Sequence, residues 1–298
     1  MQWIRALPLL IAALLLAPQV QHAQQPGEIL VERMTTGFQF TNGPAWTPED
    51  YLLFSDTPTD RVFKLTPGKA GATEIGSRAG GVSATTYDTK GNLYTAQPRA
   101  RRITRVDKKG KLDVLAERFE GKRLNAPNDI VARRDGNVYF TDPAFGEQQD
   151  TAELGFYGVF RVTPKGELSA IARWTTRPNG IALSENGRLL YVTDSDTQTV
   201  HALDLDKDGA ASNDRVFASK IPGAPAGIRT DQAGNVYVAA REIFVYSPKA
   251  ELIRTIRLGE TPSNLTFGDA DLESLYVTAR TSVYRVRLGL KGSVSYLP

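Results

Sequence analysis

Six times along this chain the same short phrase returns, and that repeat restricts the fold more than any other feature. The phrase is a small or polar residue, a few apolar residues, a glycine-rich turn and then a strand that carries an aromatic. It reads Asn42-Gly-Pro-Ala-Trp with Leu52-Leu-Phe-Ser-Asp, then Ser83-Ala-Thr-Thr-Tyr with Gly91-Asn-Leu-Tyr. It continues as Asn128-Asp-Ile-Val with Gly136-Asn-Val-Tyr-Phe and Asn179-Gly-Ile-Ala with Gly187-Arg-Leu-Leu-Tyr. It ends as Ala226-Gly-Ile-Arg with Gly234-Asn-Val-Tyr and Asn264-Leu-Thr-Phe with Ser274-Leu-Tyr-Val. In repeats two to five the first residue stands 8 positions before the turn glycine, and successive first positions lie 41, 45, 51, 47 and 38 residues apart. That is the length of a propeller blade.

Each phrase is followed by a second alternating run, such as Arg61-Val-Phe-Lys-Leu, Gly158-Val-Phe-Arg-Val or Ser282-Val-Tyr-Arg-Val. Alternation marks strands with two different faces. Weaker fourth strands follow, as in Glu167–Arg173 and Glu251–Arg257, and no long stretch has helical periodicity. The sequence predicts an all-β chain: one domain, residues 28–298, folded as a six-bladed β-propeller with four antiparallel strands per blade. Closing the ring requires one blade built from both chain ends, for which Glu28–Arg33 and Ser293–Leu297 are the candidates.

Residues 1–23 read as an export signal: Arg5 supplies the positive start and Ala6–Ala17 the apolar stretch, with cleavage after Ala23. About a dozen apolar residues are too few to span a bilayer, although an uncleaved anchor is the competing reading. The predicted location is periplasmic or secreted, with no membrane contact after cleavage. Among 298 residues there is no cysteine, which excludes disulfides, thiol catalysis and Cys-ligated zinc. His22 leaves with the signal, so His201 is the only histidine of the mature chain and multi-histidine metal sites are excluded. A net charge of +3 with mixed signs argues against a nucleic-acid partner. The one basic cluster, Arg99, Arg101 and Arg102 with Lys108, Lys109 and Lys111, is interrupted by Asp107 and Asp113 and reads as a solvated loop. What remains is oxygen chemistry on a small molecule, in a monomer or weak oligomer.

The innermost strands of a propeller run along its channel, so the first residues of the repeats should meet at one mouth. Those residues are Asn42, Ser83, Asn128, Asn179, Ala226 and Asn264. Asparagine is a poor strand former, and four of them at six equivalent places point to a site. Converging amide oxygens suit a hard cation or bridging waters, and equally suit a polyhydroxylated ligand; the plainer alternative is that asparagine favours strand starts. Ser83 has no ring histidine to activate it, and His201, on a third strand, reads as structural. Trp46, Tyr139, Phe140 and Tyr191 belong to blade packing. Asp129 follows a ring residue and by alternation points away from the ring. Asp56, Asp142 and Asp194 end second strands and read as turn or blade-to-blade acceptors. The long connection Phe145–Phe156 is expected to overhang the mouth. Asp204-Leu-Asp-Lys-Asp-Gly lacks the spacing and closing glutamate of an EF-hand.

Several of these phrases carry a resemblance. Gly43-Pro-Ala-Trp with Phe54-Ser-Asp, Leu124-Asn-Ala-Pro-Asn-Asp, Tyr139-Phe-Thr-Asp-Pro-Ala-Phe-Gly and Arg177-Pro-Asn-Gly occur in blade order. Together they resemble the gluconolactonase, regucalcin and luciferin-regenerating family over residues 35–290. The resemblance implies a six-bladed propeller holding one divalent ion, usually calcium, and hydrolysing sugar lactones or related esters. It implies metal ligands at positions 42, 179 and 226, where this chain has Asn42, Asn179 and Ala226 in place of a Glu, an Asn and an Asp. Asn128 matches the substrate-contacting Asn and is a further metal-ligand candidate, while Ala126 stands where some members carry an Arg. Asn264 is assigned to substrate binding with Asn128. Two carboxylates are thus missing from one site, so any calcium is expected to be weakly held, and no residue is assigned as catalytic base. The expected activity is that of a lactonase or esterase-type hydrolase; the alternative is a non-catalytic sugar or metabolite binder. A protein-interaction propeller would need an apolar patch at a channel mouth, which the sequence does not offer.

Overall fold

The computed structural model describes residues 29–77 and 79–296; the predicted signal, residues 1–23, lies outside them. Six four-stranded antiparallel sheets follow one another in chain order. The innermost strands, beginning with Thr41–Trp46, Ala84–Tyr87, Ile130–Ala132, Pro178–Leu183, Ile228–Thr230 and Pro262–Gly268, each touch the next, and the sixth touches the first. The ring is closed. This is the predicted six-bladed propeller. Among the described residues no helix is long and apolar enough to cross a membrane.

Closure differs in detail from expectation. The N-terminal strand is Val31–Thr36, which pairs with Ser282–Arg287 as the outer strand of the sixth blade. The C-terminal segment adds no strand to any blade. After a single bridge between Asp231 and Gly292 it runs across one end of the channel, where Ser293 N donates to Thr230 O (2.9 Å) and Ser295 Oγ to Tyr87 O (2.7 Å). Val294 packs with the hydrophobic clusters of the first and last blades, and Tyr296 meets the edge of Tyr87 at 6.5 Å. A segment that crosses the strand ends cannot also lie alongside them, which is why it bonds two blades with isolated contacts instead of a ladder.

The repeat phrase has a physical basis. The tyrosine of the second strand is buried and donates to the aspartate that ends the first: Tyr94 to Asp88 (3.0 Å), Tyr237 to Asp231 (3.0 Å) and Tyr276 to Asp269 (2.6 Å). The turn asparagines Asn92 and Asn235 donate to the same carboxylates (2.8 and 2.7 Å). Each such charged hydrogen bond is worth about 1.5–3 kcal/mol, so one short phrase both ties its own hairpin and plants an aromatic between blades. First and last blades are joined by Trp46 stacked on Tyr276 at 5.2 Å and by Thr41 N donating to Arg280 O (2.7 Å).

Candidate active site at the channel mouth

Asn42, Ser83, Asn128, Asn179 and Ala226, at the starts of five innermost strands, line one cavity of ≈ 410 Å³. That size suits a monosaccharide-scale ligand. The sixth position corrects the sequence reading. Asn264 does not line the cavity; Ser263 does. The Oδ1 of Asn264 accepts from Leu265 N (2.8 Å), the same local bond that Asp129 makes with Ile130 N (2.9 Å), so Asn264 is the counterpart of Asp129 and not of Asn128. Because strand side chains alternate, that shift of one residue moves the asparagine off the ring. Aligning Pro262-Ser-Asn with Pro127-Asn-Asp, instead of asparagine with asparagine, would have found it.

Most polar groups of the ring are already committed to joining blades. Ser83 Oγ donates to Asn128 O (2.6 Å) and Ser263 Oγ to Thr41 O (2.7 Å). From second strands, Thr141 Oγ1 donates to Asn179 O (2.6 Å) and Thr193 Oγ1 to Ala226 O (2.7 Å). The neighbouring blades approach so closely that a Cβ at Gly180 would sit 2.2 Å from Ala226 O. Among the amides, Asn128 Nδ2 donates to Asn179 Oδ1 (2.5 Å) and Asn179 Nδ2 to Ser195 Oγ (3.0 Å), which in turn donates to Pro225 O (2.7 Å). Asn42 stands apart: its Oδ1 is buried and accepts from nothing. A buried polar atom without a partner is costly, and Thr57 Oγ1 in the same lining is likewise unpartnered, so Asn42 and Thr57 are the polar groups that the fold leaves for a ligand.

The carboxylates near the mouth are bound to the scaffold, Glu260 among them, which accepts from Thr281 N (2.7 Å). Asp56 accepts from the backbone of Phe40 (2.9 Å), Asp142 from Asn125 and Ala126 (both 2.8 Å), and Asp194 from Asp196 (2.9 Å) and Thr197 (3.0 Å). These are the turn acceptors that the sequence suggested. Burial pushes the Asp142 carboxyl up to about 7, against the pull of those two N–H groups and the Arg101 charge. Asp129 lies behind the ring, fully buried, accepting from Ile181 N (3.2 Å) and pairing with Arg229 (3.3 Å). Among the described lining residues the only ionisable side chain is Arg280, which sequence reasoning missed because nothing marks a turn residue as part of a site. A divalent cation does not fit this donor set. Its ligands must supply negative charge, whereas this lining offers neutral amides and hydroxyls, with Asn179 Oδ1 already accepting from Asn128. No group of three or more His, Cys, Asp or Glu among the described residues is placed to hold a metal.

The long connection carries a 3-10 turn at Gly146–Thr151, and Phe145 and Gln148 reach the cavity wall. The Arg177 guanidinium lies 5.0 Å above the Phe145 ring and pairs with Asp196, which it holds below the usual carboxylate range. The basic cluster is a solvated loop in part: Lys108, Lys109 and Lys111 are exposed around a turn, but Arg101 and Arg102 are not. Arg101 is buried, donating to Leu124 O (2.6 Å) and pairing with Glu153 (3.1 Å), while Arg99 pairs with Asp60 and Lys111 with Asp113. His201 is structural as read, its Nδ1 2.7 Å from Asp214 Oδ1 beneath Trp174.

A closed six-bladed ring with an amide-lined mouth defines a small-molecule propeller. Residues 26–281 match the family described as the SMP-30/gluconolactonase/LRE-like region, and the chain belongs to that family. It is 31% identical over 288 residues to the gluconolactonase of Zymomonas mobilis, covering 86% of this chain and 81% of that protein. The solved structure of a gluconolactonase from Xanthomonas campestris superposes with a TM-score of 0.81 at 29% identity, covering 88% of this chain and 90% of that one. The regucalcin of Agrobacterium tumefaciens, a calcium-binding protein, shares the fold with a TM-score of 0.73 at 18% identity, over 89% of this chain and 97% of that one.

Proposed function

We propose that this chain opens the ring of a sugar lactone at the amide-lined mouth, without a resident divalent ion. Membership of the family and the likeness to gluconolactonases support the reaction class. The observation that carries the site is the unpartnered Asn42 carbonyl beside the Asn128–Asn179 pair. A sugar hydroxyl donates to Asn42 Oδ1, which anchors the ring. Amide N–H groups of Asn42 and Asn128 then face the lactone carbonyl and stabilise the negative charge that grows on its oxygen as water adds. Collapse of that adduct breaks the acyl C–O bond, and the released ring oxygen takes up a proton, giving the hydroxy acid. No described lining residue is a general base, so attack relies on solvent hydroxide. The rate constant should therefore keep rising from about pH 6 to about pH 8.5, where a carboxylate base would level off above about pH 5.

The test is pH-stat measurement of gluconolactone opening above background, with and without chelator. Turnover that survives chelation supports the reading; turnover abolished by chelator and restored by calcium would defeat it. The absence of a lining carboxylate favours one second reading, a propeller that grips the same sugar ligand without turning it over; saturable binding with no rate above background would establish that instead. We further propose export, with cleavage after Ala23, for which the mass of the mature chain recovered from outside the cytoplasm is the check. Size-exclusion chromatography with light scattering tests the monomer or weak oligomer.

A further inference from the structure

Arg280 has three properties that no other residue of the mouth combines. It is the only ionisable side chain among the described residues lining the cavity, and its guanidinium makes no ion pair and no hydrogen bond with any described residue; the neighbouring Glu260 carboxylate is taken up by Thr281 N (2.7 Å) and the Thr281 hydroxyl (3.0 Å). It is exposed, so its charge acts on whatever enters. Its backbone is in the left-handed region, φ +41°, at the first position of the two-residue turn that joins Ser274–Ala279 to Ser282–Arg287. Glycine is the residue that suits such a position, and a bulky side chain there is strained. Positive φ recurs before the third strand of other blades, at Asp60 (+55°), Arg101 (+58°) and Gln198 (+57°), so the conformation belongs to the turn, and it is the exposed, unpaired charge that sets Arg280 apart. Arg101 supplies the contrast. It too follows a second strand with positive φ, +58°, but it is buried and spent on Leu124 O and Glu153.

We infer that Arg280 reads an anionic group, so that the ligand of this mouth is an acidic sugar: one with an ionised acid group in addition to the carbonyl that is opened. An unpaired cation in a concave opening whose described lining holds no carboxylate raises the local concentration of anions and pairs with a carboxylate through its planar fork. The amides hold the neutral hydroxyls, and Arg280 holds the charge. The inference rests on the proposed lactone site for its sugar, but its test does not require turnover.

Binding of sorbitol, gluconate and glucarate compares one six-carbon chain with no, one and two carboxylates. Calorimetry on the full mature protein at low salt should show glucarate binding at least about five-fold tighter than gluconate, a preference that shrinks in about 0.5 M NaCl. Arg280→Gln should erase the preference. So should Arg280→Gly, which relieves the strained turn and should raise Tm by about 1–3 °C, separating lost recognition from lost folding. If all three ligands bind alike, or if gluconate matches glucarate and Arg280→Gln weakens both equally, the inference fails. In the second case Arg280 meets the carboxylate produced at the opened carbon. Where turnover exists, the ratio of kcat/KM for a glucarate lactone to that for gluconolactone should collapse in Arg280→Gln. Should lactone opening fail while the glucarate preference stands, only the reaction is overturned.

Discussion

Where the innermost strands finish, the C-terminal segment lies across the channel and its polar groups find partners in Thr230 and Tyr87. Every cation lining the cavity at that end is paired: Arg133 with Asp135, Arg134 with Glu185, Lys207 with Asp208 and Arg229 with Asp129. Where the same strands begin, the mouth is open, and among the described residues Asn42 Oδ1 has no donor and Arg280 no ion pair. The strands are common to both ends, so the fold does not dictate the difference. Completed interactions stabilise a protein, and incomplete ones are tolerated only where something else completes them. The closed end is therefore structure and the open end is site.

The largest expected effect breaks the closed end. Truncation after Lys291 removes the half-buried Val294 and Tyr296 from their clusters, at about 1–2 kcal/mol for each side chain, and thermal unfolding should shift down by about 5–10 °C. Gly292→Ala, whose Cβ would fall 1.8 Å from Phe267 Cγ, is the milder version; it should cost about 1–3 kcal/mol. An unchanged Tm in both would mean that the segment merely rests on the ring.

Asn42→Ala attacks the open end with the opposite signature. It should lower kcat/KM for a lactone on the order of 100-fold yet leave urea unfolding nearly unchanged, since its Oδ1 has no partner to lose. A large loss of stability would show Asn42 to be part of the scaffold.

Adding charge to the mouth sharpens the contrast further. The protein as it stands should show no saturable calcium binding below about 1 mM, and Asn42→Glu with Ala226→Asp should bring binding to the micromolar range, a gain of about 30-fold or more. Micromolar binding by the unaltered protein would refute our account of the donor set.

The smallest effect concerns pH. The folded pKa of Asp142, about 7, lies above the ordinary aspartate value of 3.8. Between those values the folded chain keeps a proton that the unfolded chain has released, so this group's contribution to stability falls as pH rises from about 4 to about 7 and is flat above. Asp142→Asn should flatten that slope in a series of melting curves. It costs about 1 kcal/mol throughout, because one of two N–H groups loses its acceptor; an unaltered slope would assign the titration elsewhere.

The repeat carried the blades because its spacing and its Asp-Asn-Tyr phrase are local, and local hydrogen bonds recur wherever the phrase recurs. It also brought Asn42, Ser83, Asn128, Asn179 and Ala226 to one mouth, since equivalent strand starts must converge in a closed ring. It failed at Asn264, where matching residue type displaced the true register by one side chain. Which amide is spent and which is free, that Arg101 is buried while Arg280 is not, and that the chain end crosses the channel were decided by contacts between blades. Those contacts join residues up to hundreds of positions apart, as between Ser263 and Thr41, and no short phrase encodes them.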